Sequence, residues 1–119
     1  MSSVQAVCVG VITIDTIALV DKYPGEDERV LAEQISRAGG GPAAVAAVAL
    51  SRLGIKSAIV GTIGDDADGK EVLRIFAQEG VDTSGISIGS SPTAGSVIVA
   101  SKEHSARAIS TRQPVIQAP

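Results

Sequence analysis

Residues Val4 to Ile14 form a near-continuous apolar run rich in Val and Ile, interrupted only by polar or small positions such as Gly10. Its β-branched character and short length predict a strand buried on both faces. Two half-polar segments follow, Thr16 to Lys22 (TIALVDK) and Val30 to Arg37 (VLAEQISR). Between them lie Tyr23, Pro24 and Gly25 and the acidic cluster Glu26, Asp27 and Glu28. Partial alternation flanking a turn-rich polar insert predicts a pair of half-exposed strands.

From Pro42 to Leu53 the pattern changes to that of a helix, AAVAAVALSRL. Gly39 to Gly41 precede it, Pro42 stands in its first turn, and Gly54 closes it, so the start and stop signals agree. A helix apolar nearly all round is a buried one, and its alanines admit a neighbouring backbone. Ser57 to Ile63 (SAIVGTI) predicts a second buried strand. A helix from about Asp68 to Glu79 follows, ending at Gly80, with Val72, Leu73, Ile75 and Phe76 on its apolar face. Ile86 to Ile88 predicts a short strand after a turn-rich VDTSG segment. Gly95 to Ser101 and Ala106 to Thr111 predict a hairpin around Lys102, Glu103 and His104. This order gives an α/β fold: a βαβ core interrupted twice by hydrophilic β excursions.

Composition narrows what such a fold is made of and what it meets. Among 119 residues there are 17 Ala, 14 Val and 13 Ile against 5 Leu, so the core must be built of small and β-branched side chains. A net charge of -3 and 2% aromatic residues argue against a nucleic-acid partner. The single cysteine, Cys8, excludes an intramolecular disulfide and a Cys-rich zinc site, and reads as a structural thiol. No apolar run reaches the roughly 18 residues that would span a bilayer. The expected location is the cytoplasm, without a membrane partner.

The most informative stretch for chemistry is Ala38-Gly39-Gly40-Gly41-Pro42-Ala43-Ala44. Glycines before a helix bare backbone N–H groups at the positive end of the helix dipole, where a ligand oxygen can be held. Gly39, Gly41 and Ala44 also satisfy the spacing G-x-G-x-x-A, which makes a dinucleotide-binding Rossmann domain one reading. That fingerprint belongs in the first strand-to-helix turn, whereas here a polar β excursion intervenes. Asp66, Asp68 and Gly69 match the middle of a calcium loop, but Gly64 and Ile75 occupy its end positions, so helix capping by Asp66 or Asp68 is the expectation. Asp15 is expected to end the first buried strand, where a carboxylate faces the ligand crevice of an open α/β sheet. His104 is expected at a solvated hairpin tip, without a catalytic role.

Four blocks in order resemble the amino-terminal part of the ribokinase-like (PfkB) carbohydrate kinases. They are VCVGVITID ending at Asp15, AGGGPAAVAAVALSRLG from Ala38 to Gly54, IVGTIGDDADG from Ile59 to Gly69, and EGVDTSGI from Glu79 to Ile86. The run LVDKYPGED resembles the ketohexokinase members, and GGGPAA the sulfofructose kinase branch. The resemblance implies a three-layer sandwich with protruding lid strands. It places sugar contacts on Asp15, on Gly39, Gly40 and Gly41, and on Ala44, where most members carry a sugar-binding asparagine. The lid strands would cover the sugar and join two copies in a homodimer.

The implied organisation of residues 1 to 119 is one partial domain, with core segments at about 4–14 and 39–89 and lid strands at about 15–37 and 93–112. ATP and magnesium serve the full-length family member, and neither is expected to bind tightly to this chain alone. The family's Gly-Ala-Gly-Asp segment, with the aspartate that deprotonates the sugar hydroxyl, does not occur in the sequence. No catalytic residue and no metal ligand is therefore expected here, and the chain alone is expected to be inactive. The alternatives are a truncated sugar-binding or dimerising module without catalysis, and the dinucleotide-binding domain.

Overall fold

The first apolar run does not fold as one strand. In the computed structural model, which describes residues 3–112, β1 spans Ala6–Val9 and β2 spans Thr13–Val20. The chain leaves the first sheet at Gly10, whose N–H still donates to the Val60 carbonyl at 3.1 Å. Ile12 then turns into the core, where it is 1% exposed. A run of β-branched residues encodes extended backbone but does not encode the sheet in which each part pairs. One consequence corrects the position of Asp15: it is the third residue of β2, and does not end the first strand.

Two sheets result. The first is parallel, ordered β1-β4-β5, with β4 at Ser57–Gly64 and β5 at Asp82–Gly89. The second is ordered β3-β2-β6-β7, with β3 at Gln34–Gly40, β6 at Ala94–Ser101 and β7 at Ala106–Arg112. Within it β2 pairs antiparallel to β3 and parallel to β6, while β6 and β7 form the expected hairpin. The excursion strands are shifted from their expected places. β2 begins at Thr13 and β3 starts only at Gln34, because the pairing runs from Thr13 opposite Gly40 to Leu19 opposite Gln34. Gly39 and Gly40 thus close a strand rather than forming a free turn. VDTSG belongs largely to β5, held there by parallel pairing along β4.

Helix α1 spans Pro42–Arg52 and α2 spans Ala67–Glu79. Proline in the first turn starts α1 without a side-chain cap. Asp66 caps α2, its Oδ1 accepting from the Gly69 N–H at 2.8 Å, and Gly80 ends the helix at φ 75°. The core joins both helices to the first sheet through Ile12, Ile14, Ala44, Ala47, Ile59, Ile63, Val72, Phe76 and Val81. Small residues permit this close packing, and the buried Ser57 hydroxyl is satisfied by the Ala47 carbonyl at 2.7 Å.

Burial is less complete than the sequence suggests. Only Ala44 and Ala47 of α1 are fully buried, and Val45 is 57% exposed. In β1, Cys8 packs towards the core while Val7 and Val9 lie exposed on the opposite face. The first strand is therefore covered on one face, not two. No helix among the described residues is long and apolar enough to cross a membrane.

Candidate functional site

Thr13 and Asp15, two residues apart on β2, point to the same face of the second sheet. Thr13 Oγ1 donates to Asp15 Oδ1 at 3.2 Å. This half-buried carboxylate is brought against the glycine block by the β2–β3 pairing. A Cβ on Gly40 would fall 2.5 Å from Asp15 Oδ2 and 2.5 Å from Thr13 Oγ1. Only a glycine lets the backbone lie this close to the two oxygens.

Gly41 is the N-cap of α1, at φ 94°, and a Cβ there would run into the Val11 carbonyl oxygen. Its conformation and its neighbour both require glycine. Gly39 is exposed and faces open space, so nothing in the described fold demands its lack of a side chain. Ala44 is 4% exposed within the core, and its methyl group offers no polar contact. The structure therefore unites Asp15 with Gly40 and Gly41 at the foot of α1, leaves Gly39 at the open rim, and buries Ala44 behind them.

Sequence reasoning missed two hydroxyl residues in register with Asp15. Asp15 lies opposite Ser96, and Ser96 opposite Thr111, their hydroxyls 3.0 Å apart. The signal was the alternation of the β6–β7 hairpin, usable only once β2 was known to pair with β6. Together these groups line one sheet face with acceptors and donors of the kind a polyol binds.

A second polar cluster lies where the two sheets meet. Asp66 accepts from the Thr93 N–H at 2.9 Å and from Thr93 Oγ1 at 2.6 Å, besides capping α2. The Gly64 N–H donates to Thr93 Oγ1 at 2.9 Å, and the Arg112 guanidinium donates to the Thr93 carbonyl. Thr93 is 1% exposed, while Asp66 is half-buried and Arg112 reaches solvent. The Thr93 hydroxyl, with help from backbone N–H groups, holds the Asp66 carboxyl below the usual carboxylate range. Nearby, Asp68 on α2 meets Arg37 of β3 at 2.5 Å and Arg112 of β7 at 3.7 Å.

Two recesses accompany these clusters. A groove of about 500 Å³ runs between α1 and α2 and reaches Gly39 and Ala44 but not Asp15. A smaller one, about 360 Å³, is lined by Thr16, Arg37, Asp68, Ser110 and Arg112. Asp15 itself stands on an open sheet face. Among the described residues no group of three or more His, Cys, Asp or Glu side chains converges. The dinucleotide arrangement is also missing: α1 follows β3, an antiparallel strand of the second sheet, rather than a parallel strand of a βαβ unit.

Known proteins match this chain in sequence and in fold. The pattern of the pfkB family carbohydrate kinases matches residues 4–117. The chain is 37% identical over 86 residues to ketohexokinase of Mus musculus, an alignment covering 71% of this chain and 28% of that protein. It is 36% identical over 90 residues to ribokinase of Haemophilus influenzae, covering 76% of this chain and 29% of the relative. A crystal structure from Agrobacterium tumefaciens, provisionally described as a ribokinase, superposes with a TM-score of 0.84 at 30% identity, over 91% of this chain and 35% of that one. The chain thus spans under a third of the length of these two curated relatives. By sequence and by fold alike, it belongs to the pfkB family of carbohydrate kinases.

Proposed function

We propose that these residues form the sugar-binding and lid side of an ATP-dependent kinase that phosphorylates a hydroxyl of a ketose-type sugar. The observation that carries this reading is the Asp15 carboxylate lying over the Gly40 backbone beside the N-cap Gly41. A carboxylate accepts from paired sugar hydroxyls, and a glycine-walled helix start offers backbone N–H groups in return. An unpaired hydroxyl in such a site is costly, which is how a polyol is selected. The similarity to ketohexokinase supports a ketose, and the comparable similarity to ribokinase means that it does not by itself separate a ketose from an aldose. Ala44, where most relatives carry a sugar-binding asparagine, points away from ordinary ribose recognition.

Residues 1 to 119 form one partial domain in this reading. The parallel β1-β4-β5 sheet with its two helices is the core and the β3-β2-β6-β7 sheet is the lid, which pairs with a second copy in the cytoplasm. The 119-residue polypeptide binds sugar but does not transfer phosphate, because positioning of the phosphoryl group with ATP and magnesium is the work of groups it does not contain. Two measurements test the proposal. Calorimetry with D-fructose should show binding to the polypeptide that Asp15→Ala abolishes, and unchanged binding in that variant would move the site elsewhere. Incubation with ATP, magnesium and a panel of ketoses should give no sugar phosphate, and turnover by the purified polypeptide would overturn the division of labour.

A further inference from the structure

The recess on the far side of β2 from Asp15 brings together two guanidinium groups from opposite edges of the lid sheet. Arg37 comes from β3 and Arg112 from β7, yet both reach the carboxylate of one residue, Asp68 of α2. Arg37 Nη2 holds Oδ1 at 2.5 Å, while Arg112 Nη2 stands 3.7 Å from Oδ2, beyond hydrogen-bond reach. The Thr16 and Ser110 hydroxyls share the wall, and the space is about 360 Å³. The residues lining the recess carry two cations against one carboxylate, with Glu71 acting on Arg37 and Asp66 on Arg112 from outside it. Arg37 can present its fork of parallel donors to a tetrahedral oxyanion, while Arg112, whose Nε and Nη2 donate to the Thr93 carbonyl, turns its Nη1 edge to it.

We propose that Arg37 and Arg112, with the Thr16 and Ser110 hydroxyls, form a binding site for a tetrahedral oxyanion, in which Asp68 is the internal group that the anion displaces. The ligand chemistry is a phosphate group, brought either as the free ion or on a phosphorylated sugar. Displacement breaks the Asp68 tie between α2 and the lid, leaving the Asp66–Thr93 bonds in place, and ties the two lid edges to each other through the anion. Asp15 points to the other face of β2 and does not line the recess, although Ser96 and Thr111 of its row reach the rim, so the arginine cluster does not depend on the sugar-kinase reading.

Titration calorimetry of the 119-residue protein with inorganic phosphate, at constant ionic strength, tests the assignment. One phosphate should bind per chain. Arg37→Gln should weaken binding at least about tenfold, because it removes one of two guanidiniums. Asp68→Asn should strengthen it by about fivefold, because the competing negative charge is gone. Arg37 is exposed at an edge strand, so its loss leaves the core intact, and circular dichroism checks this for each variant. Tighter binding of fructose 6-phosphate than of phosphate identifies a sugar-borne group, and equal binding the free ion. Either result supports the site. No binding, binding indifferent to Arg37→Gln, or weaker binding in Asp68→Asn would overturn it, the last because it makes Asp68 a support rather than a competitor.

Discussion

The missing Cβ of Gly40 is what lets Asp15 keep its place: a methyl group there would stand 2.5 Å from Asp15 Oδ2. That contact is far inside van der Waals range, and the same methyl would meet Thr13 Oγ1. Gly40→Ala must therefore push both side chains from β2, at a cost of about 1–3 kcal/mol for forced repacking. A lowered midpoint in urea, with fructose binding lost in the same variant, is the expected result. Stability and binding both equal to the parent would show that the carboxylate has another position available.

Gly41 makes the sharper case because two constraints coincide there. Its φ of 94° disfavours any other residue, and an added Cβ would collide with the Val11 carbonyl oxygen. Backbone cannot move aside as a side-chain tip can. Gly41→Ala is expected to cost more than Gly40→Ala, above about 3 kcal/mol. Comparing the two melts under one condition decides it, and the reverse order would contradict the structure of the β3–α1 junction.

The Asp66–Thr93 joint predicts an acid dependence. Asp66 has its native pKa depressed, first by the Thr93 hydroxyl. Its contribution to stability is therefore complete above the ordinary carboxylate value of about 3.9 and is lost as pH falls through the native value. Thr93→Val removes the donor and strands the Gly64 N–H, costing about 1–3 kcal/mol at neutral pH. The gap between parent and variant should narrow in urea melts below about pH 3 without closing, since the Gly64 loss does not titrate. A gap independent of pH would show that the hydroxyl does not support the charged carboxylate.

The exposed pair Arg52 and Glu79 supplies the contrast. Arg52 donates twice to the Glu79 carboxylate, at 2.9 Å and 2.5 Å, which raises its own pKa and lowers that of Glu79. Solvent screens this pair and side-chain entropy opposes it. Arg52→Ala is expected to leave the urea midpoint within experimental error at 0.5 M salt (about a 4 Å screening length). A clear loss at that salt would mean that the arginine stem is packing over the α1–α2 groove.

Much of the fold was legible because local signals agreed. Pro42 and Gly54 bracket α1, Asp66 and Gly80 bracket α2, and the β6–β7 hairpin follows from its alternation. What was illegible was pairing. Nothing within Val4 to Ile14 says that Ala6 pairs with Ser57 while Thr13 pairs with Gly40, because extended conformation is local and strand partnership is not. Asp15 and the glycines could be singled out from the chain, but their contact, the Ser96–Thr111 row and the convergence of Arg37 and Arg112 on Asp68 all depend on that long-range register.

The face of β1 that lies open carries the last prediction. Val7 and Val9 are 60% and 71% exposed on a parallel sheet, an architecture whose two faces are ordinarily covered. The lid has its own apolar positions, Ile35 and Val97, at 70% and 58% exposure. Both surfaces favour association, but by different geometry: paired lids give a closed dimer, whereas a bare core face recruits further copies. Sedimentation of the 119-residue polypeptide at micromolar concentration should therefore show species larger than a dimer. Val7→Lys with Val9→Lys should reduce these to a dimer, and adding Ile35→Lys with Val97→Lys should give a monomer. A sharp monomer for the unaltered polypeptide would mean that neither face binds, and would remove the lid-paired homodimer from the proposed function.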